Sequence, residues 1–406
     1  MTAEGSESVE TSIPTPEEIG PLILPGGKVN PDAIRKAYEL AASRPPESSE
    51  ESAPLWRVTF RLQRDLGTRL DKYITSRVTF MSRNQIQRLI ESGSVTVNGS
   101  AARSATKLRS GDRVDVLVPP PPSTEIIPQD IPINVMFEDD HLVVLNKQPD
   151  IIVHPARAEK SGTMINALAY HFKHRTGGGL SPVGSDDARP GVVHRLDRHT
   201  TGCICFAKSE EAHWKLGRQW EERTVDKRYL AVVHGRFAPT RREADGVEVI
   251  DEPLGPHPSR EKGYREKQTV RYDDLGKPST TIARVRERYV RPGVPEFQDR
   301  EFTLVELELK TGRTHQIRVH MAHRGHSLAG DDMYGGRPVP LDNDDPFDVP
   351  ALHAALLAFE HPISGESLVF SAPPRERLAA LIGHLRAHDP VRIEAPGAVP
   401  LARFGL

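Results

Sequence analysis

The stretch GVVHRLDRHTTGCICFAK, residues 191–208, decides how this chain is read. Two apolar runs, GVVHRL and GCICFAK, have the character of buried strands, and the polar segment HRLDRHTTG joins them. Asp197 sits at the turn between Arg195 and Arg198, and Gly202 permits a backbone that other residues avoid. A carboxylate among arginines at a strand end stays ionised, which suits a nucleophile or an electrostatic base. The competing reading is an aspartate that only holds its loop by hydrogen bonds. Cys203 and Cys205, two apart on a strand, share one face and read as packing residues.

Two further segments interrupt apolar patterns with functional side chains. In KRYLAVVHG, residues 227–235, Tyr229 lies near the start of a buried strand. In KTGRTHQIRVHMAHRGHSLAGDDMYGG, residues 310–336, Gly312 turns a strand into a helix that begins near Thr314. His315, Gln316, Arg318 and His320 fall close to that helix start, where anions are favoured. Arg313 and Arg318 are placed to meet a carboxylate or a phosphate. The histidines 315, 320, 323 and 326 form no HExxH pattern and have no acidic residue among them, which speaks against zinc.

Around these segments HLVVLNK, TTIARVRERY and EFTLVELELK read as strands. The stretches after Ser161, Ser209 and Thr314, and residues 374–387, read as helices. Several strands follow one another directly, so pure βαβ alternation is absent. The expectation is an α+β domain over 131–406, with a mixed, largely antiparallel sheet and flanking helices. Residues 239–265 and 336–350 read as charged or Pro-rich insertions between strands.

The 406 residues carry a net charge of −2, which at face value argues against a nucleic-acid partner. The charge is unevenly spread. Residues 1–56 hold 4 basic and 10 acidic side chains, a net −6. Residues 57–118 hold 12 basic and 5 acidic, a net +7, and the remainder is −3. The first 55 residues are rich in Pro, Ser and Glu and read as a largely disordered acidic arm. One short helix is expected within it, capped by Asn30 with Pro31 at its first position. Residues 56–118 read as a compact basic module: strand, two helices, an Asn98-Gly99 turn and a closing strand. Its cations Arg69, Lys72, Arg77, Arg83 and Arg88 can converge on one surface and point to an anionic partner. The Pro-rich residues 119–130 read as a linker. Two cysteines exclude a disulfide framework, no apolar run is long enough to span a membrane, and the N-terminus lacks a signal-peptide layout. The expected location is the cytoplasm.

Taken together, the segments resemble the RluA family of pseudouridine synthases. HRLDRHTTG is similar to the family's HRLD signature, KRYLAVVHG to its tyrosine motif, and TGRTHQIRVHMAHRGHSLAGD to its third motif, in the family's order. VLNKQPDIIVHPA and LHAALLAFEHPISGESLVFSAP resemble its flanking elements. The basic module resembles the S4 RNA-binding domain, through LDKYI, MSRNQIQRLI, GSVTVNG and GDRV. His199 departs from the pattern where an acidic residue is common, and Ser327 where proline is common.

The resemblance implies the pseudouridine synthase fold and an RNA isomerase, a monomer with no metal or redox cofactor. Asp197 would be the catalytic carboxylate, attacking C1′ or taking the C2′ proton. Arg318 would pair with it as a fork, and Tyr229 would pack against the uracil. Arg195 would fill the gap left by the flipped base, and Arg313, His315 and the module's cations would bind RNA. Among family members such a module points to ribosomal RNA of the large subunit as substrate. Transfer RNA is the alternative within the class, and a non-catalytic ribosome-assembly factor the alternative outside it.

Overall fold

A computed structural model of the chain describes residues 16–42, 56–121, 125–156, 159–185, 188–238, 246–259, 261, 266–291, 300–341, 345–388 and 390–406. The chain divides into two units between Ser123 and Thr124, inside the Pro-rich stretch.

The first unit contains α1 (Pro16–Ile19), α2 (Pro31–Ala42), β1 (Trp56–Arg61), α3 (Leu70–Arg77) and α4 (Arg83–Glu91). Strands β2 (Val95–Val97), β3 (Ser100–Ala101) and β4 (Arg113–Val118) complete it. The antiparallel sheet has the order β1-β4-β2-β3. Ser82 and Gln85 close a capping box at the start of α4. Asn98 and Gly99 both take positive φ, as a two-residue turn between β2 and β3 demands. One face of β1 and β4 buries Val58, Phe60, Val114 and Val116 against Ile74 and Ile86 of the helices.

The disordered arm expected over residues 1–55 does not hold for its middle. The Asn30 side chain accepts the N–H groups of Asp32 (3.1 Å) and Ala33 (3.3 Å), starting α2 where the sequence predicts. However, Val29, Ile34 and Ala37 are buried, with Val29 and Ile34 in the core of the basic module. Val29 N–H donates to the Arg77 carbonyl (2.8 Å), and the Tyr38 hydroxyl donates to the Val118 carbonyl (3.0 Å). Composition alone misses this, because a short apolar stripe gains order only from the surface it covers. Residues 1–15 and 43–55 of that expectation lie outside the described residues.

Two of the module's cations, Arg69 and Arg83, meet at one buried carboxylate while remaining exposed. Asp71 is fully buried, and its carboxylate accepts Nε (3.1 Å) and Nη2 (3.1 Å) of Arg69. It also accepts Nε (3.1 Å) and Nη2 (2.7 Å) of Arg83, and Nε2 of Gln87 (3.0 Å). Arg69 and Arg83 therefore keep only part of each guanidinium for a partner. Arg77 donates to the Gly26 carbonyl (2.7 Å) and covers the Tyr73 ring. Lys72 and Arg88, like Arg69 and Arg83, are exposed.

In the second unit a ten-stranded sheet runs β16-β12-β13-β8-β14-β7-β6-β5, with β9 paired to β12 and β15 to β14. In chain order its first strands are β5 (Val135–Glu138), β6 (Leu142–Lys147), β7 (Thr201–Ala207), β8 (Asp226–His234) and β9 (Val247–Asp251). The rest are β12 (Thr280–Val290), β13 (Glu301–Leu309), β14 (Leu352–Glu360), β15 (Ser367–Ser371) and β16 (Val391–Arg392). Strands β10 (Leu254–Pro256) and β11 (Gln268–Val270) pair separately. The helices are α5 (Met164–His171), α6 (Glu210–Glu222), α7 (Gln316–His323) and α8 (Glu376–Arg386). Only β14 and β7 pair in parallel among the described strands, so this is the mixed, largely antiparallel α+β architecture. The central strands are buried on both faces, and charges on β12 and β13 pair across the sheet, as in Arg284–Glu308 and Arg286–Glu306. Met164 and Leu168 of α5 and Ile317 and Met321 of α7 pack with Ala231 and Val305. Leu378 and Leu381 of α8 pack with the alternate residues Val232 and Leu304.

Two strand expectations need correction. GVVHRL is not a strand: Val192 makes one isolated bridge to Phe206, and the Cys205 N–H is taken by Nε2 of His194 (2.9 Å) instead of a backbone carbonyl. A side chain has replaced the ladder there. Conversely, the supposed insertion 239–265 holds β9 and β10, although residues 239–245, 260 and 262–265 of it lie outside the described residues.

The Asp71 carboxylate is held well below the usual range, first by its bonds to Arg69. A depressed folded pKa gives stability that is present above the unfolded value near 4 and lost as pH falls below it. Asp71→Asn should cost the first unit about 2 kcal/mol in urea unfolding of the full chain near neutral pH, and the difference from wild type should shrink below about pH 4. Equal stability of the two proteins at pH 7 would contradict this.

Candidate active site

The site forms where β7 meets β14. At Gly202 the backbone takes φ 109°, and a Cβ there would lie 2.2 Å from the Ala354 carbonyl oxygen. Only glycine allows the two strands to close at this point. Beside it, buried Thr201 and His353 share a hydrogen bond of 2.7 Å between Oγ1 and Nδ1. Residues 195–200 leave this junction as a loop carrying Asp197.

A buried lysine pins that loop. Lys147, at the end of β6, has no exposed surface. Its ammonium donates to the carbonyls of Gln148 (2.9 Å), Arg198 (2.8 Å) and Thr200 (2.9 Å). Its three N–H groups thus match three acceptors. Burial pushes its pKa down to about 7, while the charge of Asp197 pushes it up.

A pocket of about 220 Å³ gathers Arg195, Asp197, Tyr229, Arg313, His315 and Arg318, which are all the site residues expected in this unit. Asp197 is one-fifth exposed, with Oδ2 3.6 Å from Nη1 of Arg318 and 3.9 Å from Nε2 of His315. Arg195 and Arg313 are exposed on the pocket wall. Tyr229 is buried, and burial raises its pKa, followed by the nearby charge of Asp197, so the phenol keeps its proton.

The expected fork between Arg318 and Asp197 is not what the structure contains. Nε and Nη2 of Arg318 donate instead to the two oxygens of Asp331, both at 2.7 Å. Asp331 is fully buried and needs a complete partner, whereas Asp197 is partly open to water. Gly330 makes the turn possible: φ is 75°, and a Cβ would lie 2.3 Å from the Val349 carbonyl oxygen. Arg318 also lies over the Tyr334 ring at 4.9 Å.

Tyr334 orients His315. Its hydroxyl accepts the Gln268 N–H (3.0 Å) and lies 2.8 Å from Nδ1 of His315. Donation of the O–H to Nδ1 places the imidazole proton on Nε2, facing Asp197. Burial lowers the His315 pKa, which favours this neutral form. Of the other polar residues at the helix start, Gln316 bonds Thr280 and Thr281 and His320 bonds Thr281 and Glu252, so both serve the fold. The two departures from the family pattern have local partners: His199 Nδ1 meets Asp150 at 2.6 Å, and the Ser327 hydroxyl donates to the Tyr334 carbonyl at 2.6 Å.

Lys147, Asp331 and Tyr334 are the site residues that reading the sequence misses. Each had a faint signal: a lysine inside an apolar strand, and an aspartate and a tyrosine between glycines in LAGDDMYGG.

The sequence profile of the RNA pseudouridylate synthases matches residues 141–323, and that of the S4 domain matches residues 68–114. The chain is 41% identical over 318 residues to the uncharacterized RNA pseudouridine synthase YlyB of Bacillus subtilis, covering 78% of this chain and 94% of that protein. It is 34% identical over 331 residues to the ribosomal large subunit pseudouridine synthase D of Pasteurella multocida, covering 79% and 92%. The solved structure of human RNA pseudouridylate synthase domain containing 1 is similar at 25% identity, with 66% and 97% covered and a TM-score of 0.43.

Replacing Lys147 tests the pinned loop. Lys147→Met takes the donor from three carbonyls, that of Thr200 buried, and should lower stability by about 2–4 kcal/mol. Amide exchange at Thr200 and Thr201 should accelerate. A variant that unfolds with the wild type and protects both amides would show that the loop holds its own shape.

Proposed function

The chain belongs to the RNA pseudouridylate synthase family, and from that premise we propose that it converts specific uridines of large-subunit ribosomal RNA to pseudouridine, with Asp197 as the catalytic carboxylate. The observation that carries this reading is the pocket itself. One partly open carboxylate faces a buried arginine edge at 3.6 Å, next to a protonated tyrosine on the same pocket wall.

The reaction breaks the N1–C1′ bond, turns the base and joins C5 to C1′. The C5 proton leaves, N1 gains one, and substrate and product are isomers. The target base must leave its stack to reach the pocket, at a cost of a few kcal/mol that RNA contacts offset. Asp197 then serves by attack at C1′ or by removal of the C2′ proton, and both routes need it ionised. Nη1 of Arg318 lies 3.6 Å from Oδ2 and brings positive charge beside the carboxylate. Because Asp331 holds the rest of the guanidinium, Asp197 is free to approach the sugar.

Tyr229 offers a flat ring to the extruded uracil and a hydroxyl that keeps its proton at neutral pH. Arg195, exposed at the pocket, is suited to stack in the gap the base leaves. The S4 unit, net +7 over residues 57–118, supplies sequence-independent grip through phosphates. The ribosomal substrate is supported by that unit and by the name of the Pasteurella multocida relative.

Pseudouridine mapping in a strain lacking the protein, complemented with wild type or Asp197→Asn, tests this reading. Specific sites in large-subunit ribosomal RNA should disappear on deletion, return with wild type and stay absent with the variant. RNA affinity of the variant should remain within about threefold. Restored sites with Asp197→Asn would remove Asp197 from the chemistry. Loss of transfer-RNA sites alone would refute the ribosomal substrate.

A further inference from the structure

One group in the pocket has no place in the scheme above. Lys227 precedes Tyr229 by two residues on β8, so both project from the same face of the strand. It lines the same pocket and is only 7% exposed. Its ammonium has no hydrogen bond or ion pair among the described residues, and burial lowers its pKa. The aliphatic stem is buried, while Nζ opens into the pocket and finds no acceptor there among the described residues.

Its surroundings hold donors and positive charge. His194 stacks on Trp220 with ring centroids 4.7 Å apart, and both line the pocket with Lys227. Nε2 of His194 accepts the Cys205 N–H, so the ring proton is on Nδ1. The indole N–H of Trp220 is buried and has no acceptor. The charges that act on Lys227 are Arg223, Asp226 and Lys310. Asp226, the one carboxylate, already accepts Nε of Arg228 at 2.6 Å. The pocket wall therefore brings Lys227 together with two neutral donors, and Arg223 and Lys310 add positive potential from outside the wall, although Lys310 itself pairs with Glu308.

We propose that Lys227 forms an anion subsite that binds a backbone phosphate of the RNA strand carrying the target uridine. This rests on the pocket being the site of uridine isomerisation. A phosphodiester oxygen fits better than a uracil carbonyl because it brings a full negative charge to an ammonium that has no acceptor in the protein among the described residues. Held there, the backbone beside the extruded nucleotide is fixed by Lys227 while C1′ faces Asp197 of the same pocket.

The experiment uses the full chain, Lys227→Met and Lys227→Arg, with large-subunit ribosomal RNA from a strain lacking the protein as probe. Lys227→Met removes a charge that has no partner in the protein among the described residues and should melt at or above the wild-type temperature. Its KM should rise roughly ten- to a hundredfold, with a smaller loss in kcat. The log–log salt dependence of its RNA affinity should be shallower by about 0.7–0.9, one phosphate contact, and Lys227→Arg should keep the wild-type slope. A clear drop in melting temperature for Lys227→Met would make the lysine structural and overturn the subsite. So would weaker binding with an unchanged slope, which would indicate a contact to the base, or an unchanged KM. If wild type forms no pseudouridine in this RNA, the isomerase reading fails on its own, and the melting temperature and salt slope still decide the role of Lys227.

Discussion

The site depends on one demand: a carboxylate with no access to water must be met in full. Asp331 makes that demand, and the two parallel bonds from Arg318 satisfy it. The pair ties α7 to the turn at Gly330, fixes the guanidinium plane over Tyr334 and leaves a single N–H edge turned to Asp197. Asp197 thus receives positive charge without being clamped. A direct fork would have fixed it more rigidly, and would have covered both of the oxygens that the proposed reaction needs.

Two lysines show how much the surroundings decide. Lys147 and Lys227 are both buried near the pocket, and burial lowers the pKa of each. Lys147 meets a matched set of carbonyls and becomes a fastening for the loop. Lys227 shares the pocket wall with Trp220 and His194, finds no acceptor among the described residues, and on the proposal above takes one from the RNA. Residue type and burial are shared, and the arrangement of acceptors separates the structural lysine from the binding one.

Legibility in the sequence followed the range of the interactions. The capping box at Ser82, the turn at Asn98-Gly99 and the helix start at Asn30 are local, and their residue order is enough to place them. The alternating and buried strands were readable for the same reason, and the three motifs gathered Asp197, Tyr229 and Arg318 at one pocket. The failures are non-local. The partner of Arg318 is 13 residues away across a turn, and the partners of Lys147 lie up to 53 residues off, as backbone carbonyls that leave no trace in residue type. GVVHRL looked like a strand because its composition is that of one, yet a histidine side chain takes the N–H that a ladder would have used. Order in residues 16–42 depends on a surface that only the folded module provides.

The junction at Gly202 has a consequence for how the protein comes into being. Thr201 is bonded to His353, 152 residues later, and the parallel pairing of β7 with β14 starts at the same two residues. At typical rates of synthesis, roughly 8–30 s separate their emergence from the ribosome. Contacts this distant in sequence also form slowly. The S4 unit, by contrast, lies wholly within the first 123 residues. A nascent chain therefore carries its RNA-binding fold well before the loop of Asp197 has a strand to close against, and it completes its active site only after most of the chain has been made.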